Sequence, residues 1–375
     1  MPVRARSTAP TVAAAALGGA AAVVVVPIAV LSRRLRRSMG AGRREIAATV
    51  AGSPQYYDGA FHNRLPGSII APTSTASMAT QMATRDDRGK PSNPIDLATA
   101  VIPETAGALA ATWLGHASVL LEIDGARVLA DPVWSDRASP TQKVGPHRLH
   151  PVPMAIADLP ELDLIVISHD HYDHLDTNTV DALLATQRAP FCVPIGIGAH
   201  LRGWGVPEHR IIELDWDACH QVAGLTVTCT EARHFSGRSL ARNTTLWSSW
   251  ALTGQHHRVF FGGDTGYTPA FAEIGARFGP FDLTVLPIGA YNDMWPDIHM
   301  NPEEAVRAHG DLGGQLLLPI HWATFDLAFH RWSEPVEWLT VAAENSGVQL
   351  ALPAPGQRFE GAGPIPTDSW WVPSI

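Results

Sequence analysis

The stretch Ser168-His169-Asp170-His171-Tyr172-Asp173-His174-Leu175-Asp176 packs three histidines into six positions, with Asp173 among them. Imidazole and carboxylate together suit zinc and neighbouring divalent metals. The apolar run Leu164-Ile165-Val166-Ile167 comes just before, so a strand is expected to deliver these groups at its C-terminal end. In an extended loop, alternate positions share a side, which pairs His169 with His171. Asp173 and His174 then turn back toward the same region. Each pair falls short of a tetrahedral ligand set, so further ligands should come from later strand ends. Three residues stand there: His234 after the apolar stretch ending near Glu231, Asp264 after Val259-Phe260-Phe261-Gly262-Gly263, and His321 after Leu316-Leu317-Leu318-Pro319-Ile320. Taken singly, each would read as a cap or a surface residue. Beside the cluster they read as one metal centre.

Other motifs carry less. His116 follows a glycine between two apolar strands and reads as a supporting or structural residue. Asp131-Pro132 reads as a turn. Gly196-Ile197-Gly198 follows a strand but lacks the third glycine of a dinucleotide loop and a phosphate-binding lysine. No Gly-x-Ser-x-Gly elbow is present, which argues against a serine hydrolase.

The elements that must position these residues begin near Ala110. Strands are predicted over 111–114, 118–123, 127–130, 163–168, 191–194, 225–231, 247–252, 258–262, 282–287 and 315–319. Helices are predicted over 177–187, 269–278, 302–309 and 334–345. Asn301 and Ser333 are expected to cap the last two, with Pro302 opening the first of that pair. Residues 32–108 read as a basic linker and then an irregular, proline-punctuated stretch with room for short helices. Many strands interleaved with helices, without an internal repeat, predict one large α/β domain.

The pattern His-x-His-x-Asp-His, followed by a distant His, Asp and His, resembles the metallo-β-lactamase superfamily. That resemblance implies a four-layer αββα sandwich with two divalent metal ions at one edge of its sheets. It assigns His169, His171 and His234 to the first metal, Asp173, His174 and His321 to the second, and Asp264 as the bridge. The runs Thr112–Ser118, Asp131–Ser135, Gly263–Tyr267, Leu286–Tyr291, His299–Ala305 and Ile320–Phe325 are similar to the N-acyl-phosphatidylethanolamine-hydrolysing phospholipase D family, over roughly residues 55–360. Membership would imply a phosphodiesterase in which a hydroxide shared by two metals, with zinc favoured, attacks phosphorus. N-acylethanolamine and phosphatidic acid would be released. Asp173 and Asp264 would be catalytic as well as ligating. Tyr172 and His299 would touch the substrate.

The metal set alone also suits a carboxylic ester, a lactone or a β-lactam, because hydroxide attacks either centre. A non-enzymatic membrane protein with a structural metal is the other alternative.

Residues Thr11 to Leu31 carry no charge over 21 positions, enough for a helix of roughly 30 Å, about one hydrocarbon core. A cleaved signal peptide is the competing reading, but its apolar stretch runs about 7–15 residues and its charge comes first. Here Arg33-Arg34-Leu35-Arg36-Arg37 follows, so a retained span with the body on the cytoplasmic side is expected. Residues 1–44 hold eight arginines and no acid. Without them, 19 basic residues face 36 acidic ones, so residues 45–375 carry −17. So acidic a body makes nucleic acid a poor partner, whereas a membrane phospholipid and its bilayer suit the tether. Three cysteines with no CxxC pair give no disulfide framework. The expected organisation is a membrane segment over 1–44, an irregular extension packed on the core over 45–108, and the hydrolase domain over 109–375.

Overall fold

The computed structural model describes residues 33–67, 80, 86–238 and 241–375. The apolar stretch 11–31 lies outside the described residues. Among those described, no helix is long and apolar enough to cross a membrane.

Two seven-stranded mixed sheets form the frame. In the first, Leu109–Gly115, Ser118–Ile123, Ala126–Ala130, Leu164–Val166, Phe191–Pro194 and Ile211–Leu214 lie side by side in chain order, and Arg358–Glu360 closes the outer edge. The second runs from Cys219–Val222 through Leu225–Thr230, Ser249–Thr253, Arg258–Phe261, Phe281–Pro287 and Gly314–Ile320 to Gln349–Leu350. Each sheet changes from antiparallel to parallel pairing partway across, at Ala126–Ala130 in the first and Arg258–Phe261 in the second.

The layers follow from strand periodicity. In Ser118–Ile123, Val119, Leu121 and Ile123 join the core shared with Trp250, Phe260 and Val285 of the other sheet. Leu120 points the opposite way, into a second core with Val180, Leu183, Ile197 and Leu201 from the helices Thr177–Thr186 and Ile197–Gly203. Strands covered on both faces read as continuous apolar runs, which is why most were visible in the sequence. Ala270–Phe278, Pro302–Asp311 and Glu334–Ser346 supply Phe271, Val306 and Leu339 to the main core. The result is the helix–sheet–sheet–helix sandwich that the family resemblance implied.

Not every element follows expectation. One short helix, Arg43–Val50, forms in the otherwise irregular N-terminal stretch and buries Ile46 and Val50. Asn301 caps its helix as predicted, accepting from the Glu304 N–H while Glu304 reaches back to the Asn301 N–H. Ser333 does not cap: its hydroxyl donates to Glu337 Oε1 instead, because Ser333 is already in a helical conformation.

The edge strand Arg358–Glu360 is pinned by a buried ion pair. Arg358 Nε lies 2.7 Å from Oε1 of Glu122, a side chain only 1% exposed, and the Gly107 N–H also donates to Glu122. Burial disfavours the Glu122 carboxylate, yet these donors outweigh it and hold its pKa below the usual value. Arg358→Ala should therefore cost about 3 kcal/mol at pH 7, because the charge stays buried without its partner. The wild-type pair stabilises above the ordinary carboxylate pKa and is lost as pH falls through its depressed value, so the deficit should shrink toward pH 4. Urea denaturation at the two pH values measures both; an equal deficit at pH 4 would contradict the assignment.

Candidate metal centre

Both sheets end at one edge, and the loops leaving them converge there. His169 to His174 follow Leu164–Val166, and Asp176 then caps Thr177–Thr186 by accepting from the Asn178 and Thr179 N–H groups. His234, Asp264 and His321 follow Leu225–Thr230, Arg258–Phe261 and Gly314–Ile320 of the second sheet. Gly263 permits this approach: its φ is +60°, and a Cβ there would lie 2.4 Å from Cβ of Ser168. Only glycine lets the two sheets come so close at that point.

The side chains gather in two groups joined by Asp264. In one, His171 Nδ1 lies 2.8 Å from His169 Nε2 and 3.3 Å from His234 Nε2. In the other, Asp173 Oδ2 lies 3.5 Å from His174 Nε2 and 3.4 Å from His321 Nε2. Asp264 Oδ2 reaches both groups, at 3.2 Å from His174, 3.1 Å from His321, 3.8 Å from His234 and 3.9 Å from His169. All seven residues proposed from the sequence are thus brought together.

His116 joins the second group, with Nε2 3.0 Å from Asp173 Oδ2. It occupies the turn between two neighbouring strands, at φ +54°, and His321 nearby has φ +64°. Such left-handed non-glycine backbone is held only where surroundings demand it. One of those surroundings is the His321 N–H bond to the His116 carbonyl. The sequence signal for His116, a histidine at a strand end, was the same as for the candidate ligands.

Asp131, taken from sequence as a turn residue, is fully buried and accepts from His174 Nδ1 at 2.7 Å. It also accepts from the Ser168 N–H and hydroxyl. A carboxylate behind an imidazole sets its tautomer and aims its other nitrogen. His234 is aimed likewise, Nδ1 donating to the Ile298 carbonyl.

The charge pattern fits a cation. Nε2 of His174 and of His321, and Oδ1 of Asp264, are buried without a hydrogen-bond partner. Imidazole nitrogens and carboxylate oxygens facing one another at these distances need positive charge between them, supplied by protons or by a metal ion. Burial resists charge on His321, but Asp264 and Asp173 outweigh it and lift its pKa to about 9. His174 is raised the same way, by Asp264, Asp173 and Asp131 against burial. Burial keeps His169 and His234 well below the usual imidazole range, hence neutral, as ligation requires. The residues therefore fit divalent metal, in one group of three histidines and one of histidines with Asp173, sharing Asp264.

The two expected substrate contacts differ. His299 is half-buried, its unpartnered Nδ1 3.9 Å from Asp264 Oδ2. Tyr172 instead spends its hydroxyl on the Arg238 carbonyl, 2.6 Å away, and lays its ring under the Arg238 guanidinium.

The comparisons agree with this geometry. A family profile described as a β-lactamase superfamily domain matches residues 126–322. An uncharacterized protein of Mycobacterium tuberculosis is 56% identical over 340 residues, 89% of this chain and 91% of that one. The N-acyl-phosphatidylethanolamine-hydrolyzing phospholipase D 1 of Caenorhabditis elegans is 41% identical over 231 residues, 58% of this chain and 65% of that protein. Among solved structures, a metallo hydrolase from the archaeon Ignicoccus hospitalis superposes with a TM-score of 0.53 at 22% identity, over 67% of this chain and 98% of its own.

If two ions bind, each contributes separately to stability. Zinc at a thousandfold excess over its Kd should add about 4 kcal/mol per ion. His234→Ala and His321→Ala should each abolish one increment and leave the other. Thermal melts with chelator and with restored zinc test this; loss of the whole increment in either variant would mean a single ion.

Proposed function

Since the chain belongs to the metallo-β-lactamase superfamily and is a metal-dependent hydrolase, we propose that its substrate is a phosphodiester of a membrane lipid of the N-acyl-phosphatidylethanolamine type. The meeting of two ligand groups on Asp264 carries the reading, because two adjacent cations suit a phosphodiester's two non-bridging oxygens. The likeness to the Caenorhabditis elegans phospholipase D favours phosphorus over carbonyl carbon. We place the substrate in the bilayer itself, reached by a chain tethered through residues 11–31 with its body on the cytoplasmic side.

Two divalent ions, zinc for preference, would be held by His169, His171 and His234 on one side and Asp173, His174 and His321 on the other, with Asp264 between. When bound, they supply Lewis acidity and bring a water's pKa toward neutrality. The protein's own part is positioning. Asp131 and the Ile298 carbonyl fix the His174 and His234 rings. Asp173, its Oδ2 also 3.0 Å from His116, would take a proton from the attacking water. His299 faces the same centre and would contact the phosphoryl group. Tyr172, its hydroxyl committed, would contribute only its ring.

Asp264→Asn should stay folded and lose about a hundredfold or more in turnover, because the shared carboxylate loses its charge. Assays on N-acyl-phosphatidylethanolamine in mixed micelles, run beside lactone and β-lactam panels, test the substrate class. Hydrolysis of the panels but not of the lipid would overturn the lipid reading, and near-normal turnover by the Asn variant would remove Asp264 from its role.

A further inference from the structure

Asp170 sits between two of the candidate ligands, yet its carboxylate turns away from the centre. Oδ1 accepts from the Gly237 N–H at 2.7 Å, and Oδ2 from Thr245 Oγ1 at 3.0 Å. Oδ2 also meets His200 Nε2 at 3.3 Å. The other ring nitrogen, His200 Nδ1, accepts from the Ala41 N–H at 2.8 Å, which places the ring proton on Nε2, facing Asp170. One imidazole thus connects the N-terminal segment to the carboxylate of Asp170, the residue between His169 and His171.

Arg238 makes a second connection to the same loop. It is 5% exposed, and Nη1 donates to the carbonyls of Asp170 and Leu175, which bracket the ligand loop, at 2.7 and 2.6 Å. Nε and Nη2 both donate to the Ser38 carbonyl, at 3.1 and 2.7 Å. The guanidinium carbon lies 4.2 Å from the Tyr172 ring centroid. The segment is held from outside as well: Arg37 pairs with Asp181 at 2.6 Å, and Trp204 Nε1 donates to the Arg37 carbonyl at 2.7 Å.

We propose that residues 38–42, which precede the family-matching region, are a positioning element of the hydrolytic site and hold the 170–175 loop in ligating geometry through Arg238 and the His200–Asp170 pair. The proposal rests on the reading of that loop as metal-binding. A ligand loop free to drift loses both metal affinity and productive geometry, since such sites must be held to within about 0.5 Å. The segment leads directly to the expected tether, so whatever restrains residues 33–42 at a membrane surface also bears on the ligand loop.

Gly40 offers a probe that touches no ligand. Its φ is +78°, and a Cβ there would lie 2.2 Å from His200 Nδ1, so Gly40→Ala must part the segment from His200. Gly52→Ala, where a Cβ meets nothing within 4 Å, is the control. The full chain would be titrated with Co2+ and followed by visible absorption, with tryptic cleavage across 33–44 reporting release of the segment. Gly40→Ala and Arg238→Lys, which cannot span three carbonyls at once, are expected to weaken Co2+ binding about tenfold or more and alter its spectrum. Gly52→Ala should match the wild type. His200→Ala removes the same link by deletion and stands in if Gly40→Ala does not fold. Folded Gly40→Ala (or His200→Ala) protein with wild-type affinity and spectrum overturns the proposal. Failure of the wild type to bind Co2+ overturns instead the metal reading beneath it.

Discussion

A carboxylate buried among imidazoles is the constraint on which the rest of this molecule depends. Asp264 is 3% exposed and lies within 4 Å of nitrogen atoms from His169, His174, His234, His299 and His321. Moving an ionised carboxylate out of water is prohibitive unless positive charge or donors accompany it. Burial alone would drive its pKa up, yet His174 and His321 hold it well below the usual range. The cluster therefore calls for net positive charge at its centre. The fold answers by fixing the His169, His174 and His234 rings from behind, through Ser168, Asp131 and the Ile298 carbonyl.

The sandwich is well suited to that task. Each sheet presents its loops at the same edge, and each contributes ligands to the groups that meet on Asp264. Supports come from both sides as well: Asp131 of the first sheet's loops orients His174, and the Ile298 carbonyl after the second sheet's Phe281–Pro287 orients His234. Neither sheet could assemble the centre alone. The glycine contact at Gly263 with Ser168 is where this joint dependence becomes steric.

Much of this could be read from the residues. The histidine cluster announces itself by density, and His234, Asp264 and His321 by following apolar strands. The strands of the two sheet centres were visible because both faces are covered. What escaped had weaker local signals. Cys219–Val222 is mostly exposed and has no apolar pattern, and Arg358–Glu360 alternates charge with one phenylalanine. Asp131 looked like a turn because its partners, Ser168 and His174, lie 37 and 43 residues away. Arg238 gave no sign, since its work consists of bonds to carbonyls, and carbonyls carry no sequence. The commitment of the Tyr172 hydroxyl was invisible for the same reason: its acceptor is a backbone oxygen.

The separation of the ligands along the chain has a consequence for synthesis. The His116 N–H bonds Thr324 Oγ1 across 208 residues, and the His321 N–H bonds the His116 carbonyl. As the chain leaves the ribosome, the dense histidine loop emerges long before His321, and contacts of such span form late. The nascent chain thus exposes a partial chelate well before the closing residue arrives. The complete set of candidate ligands exists only in the finished fold.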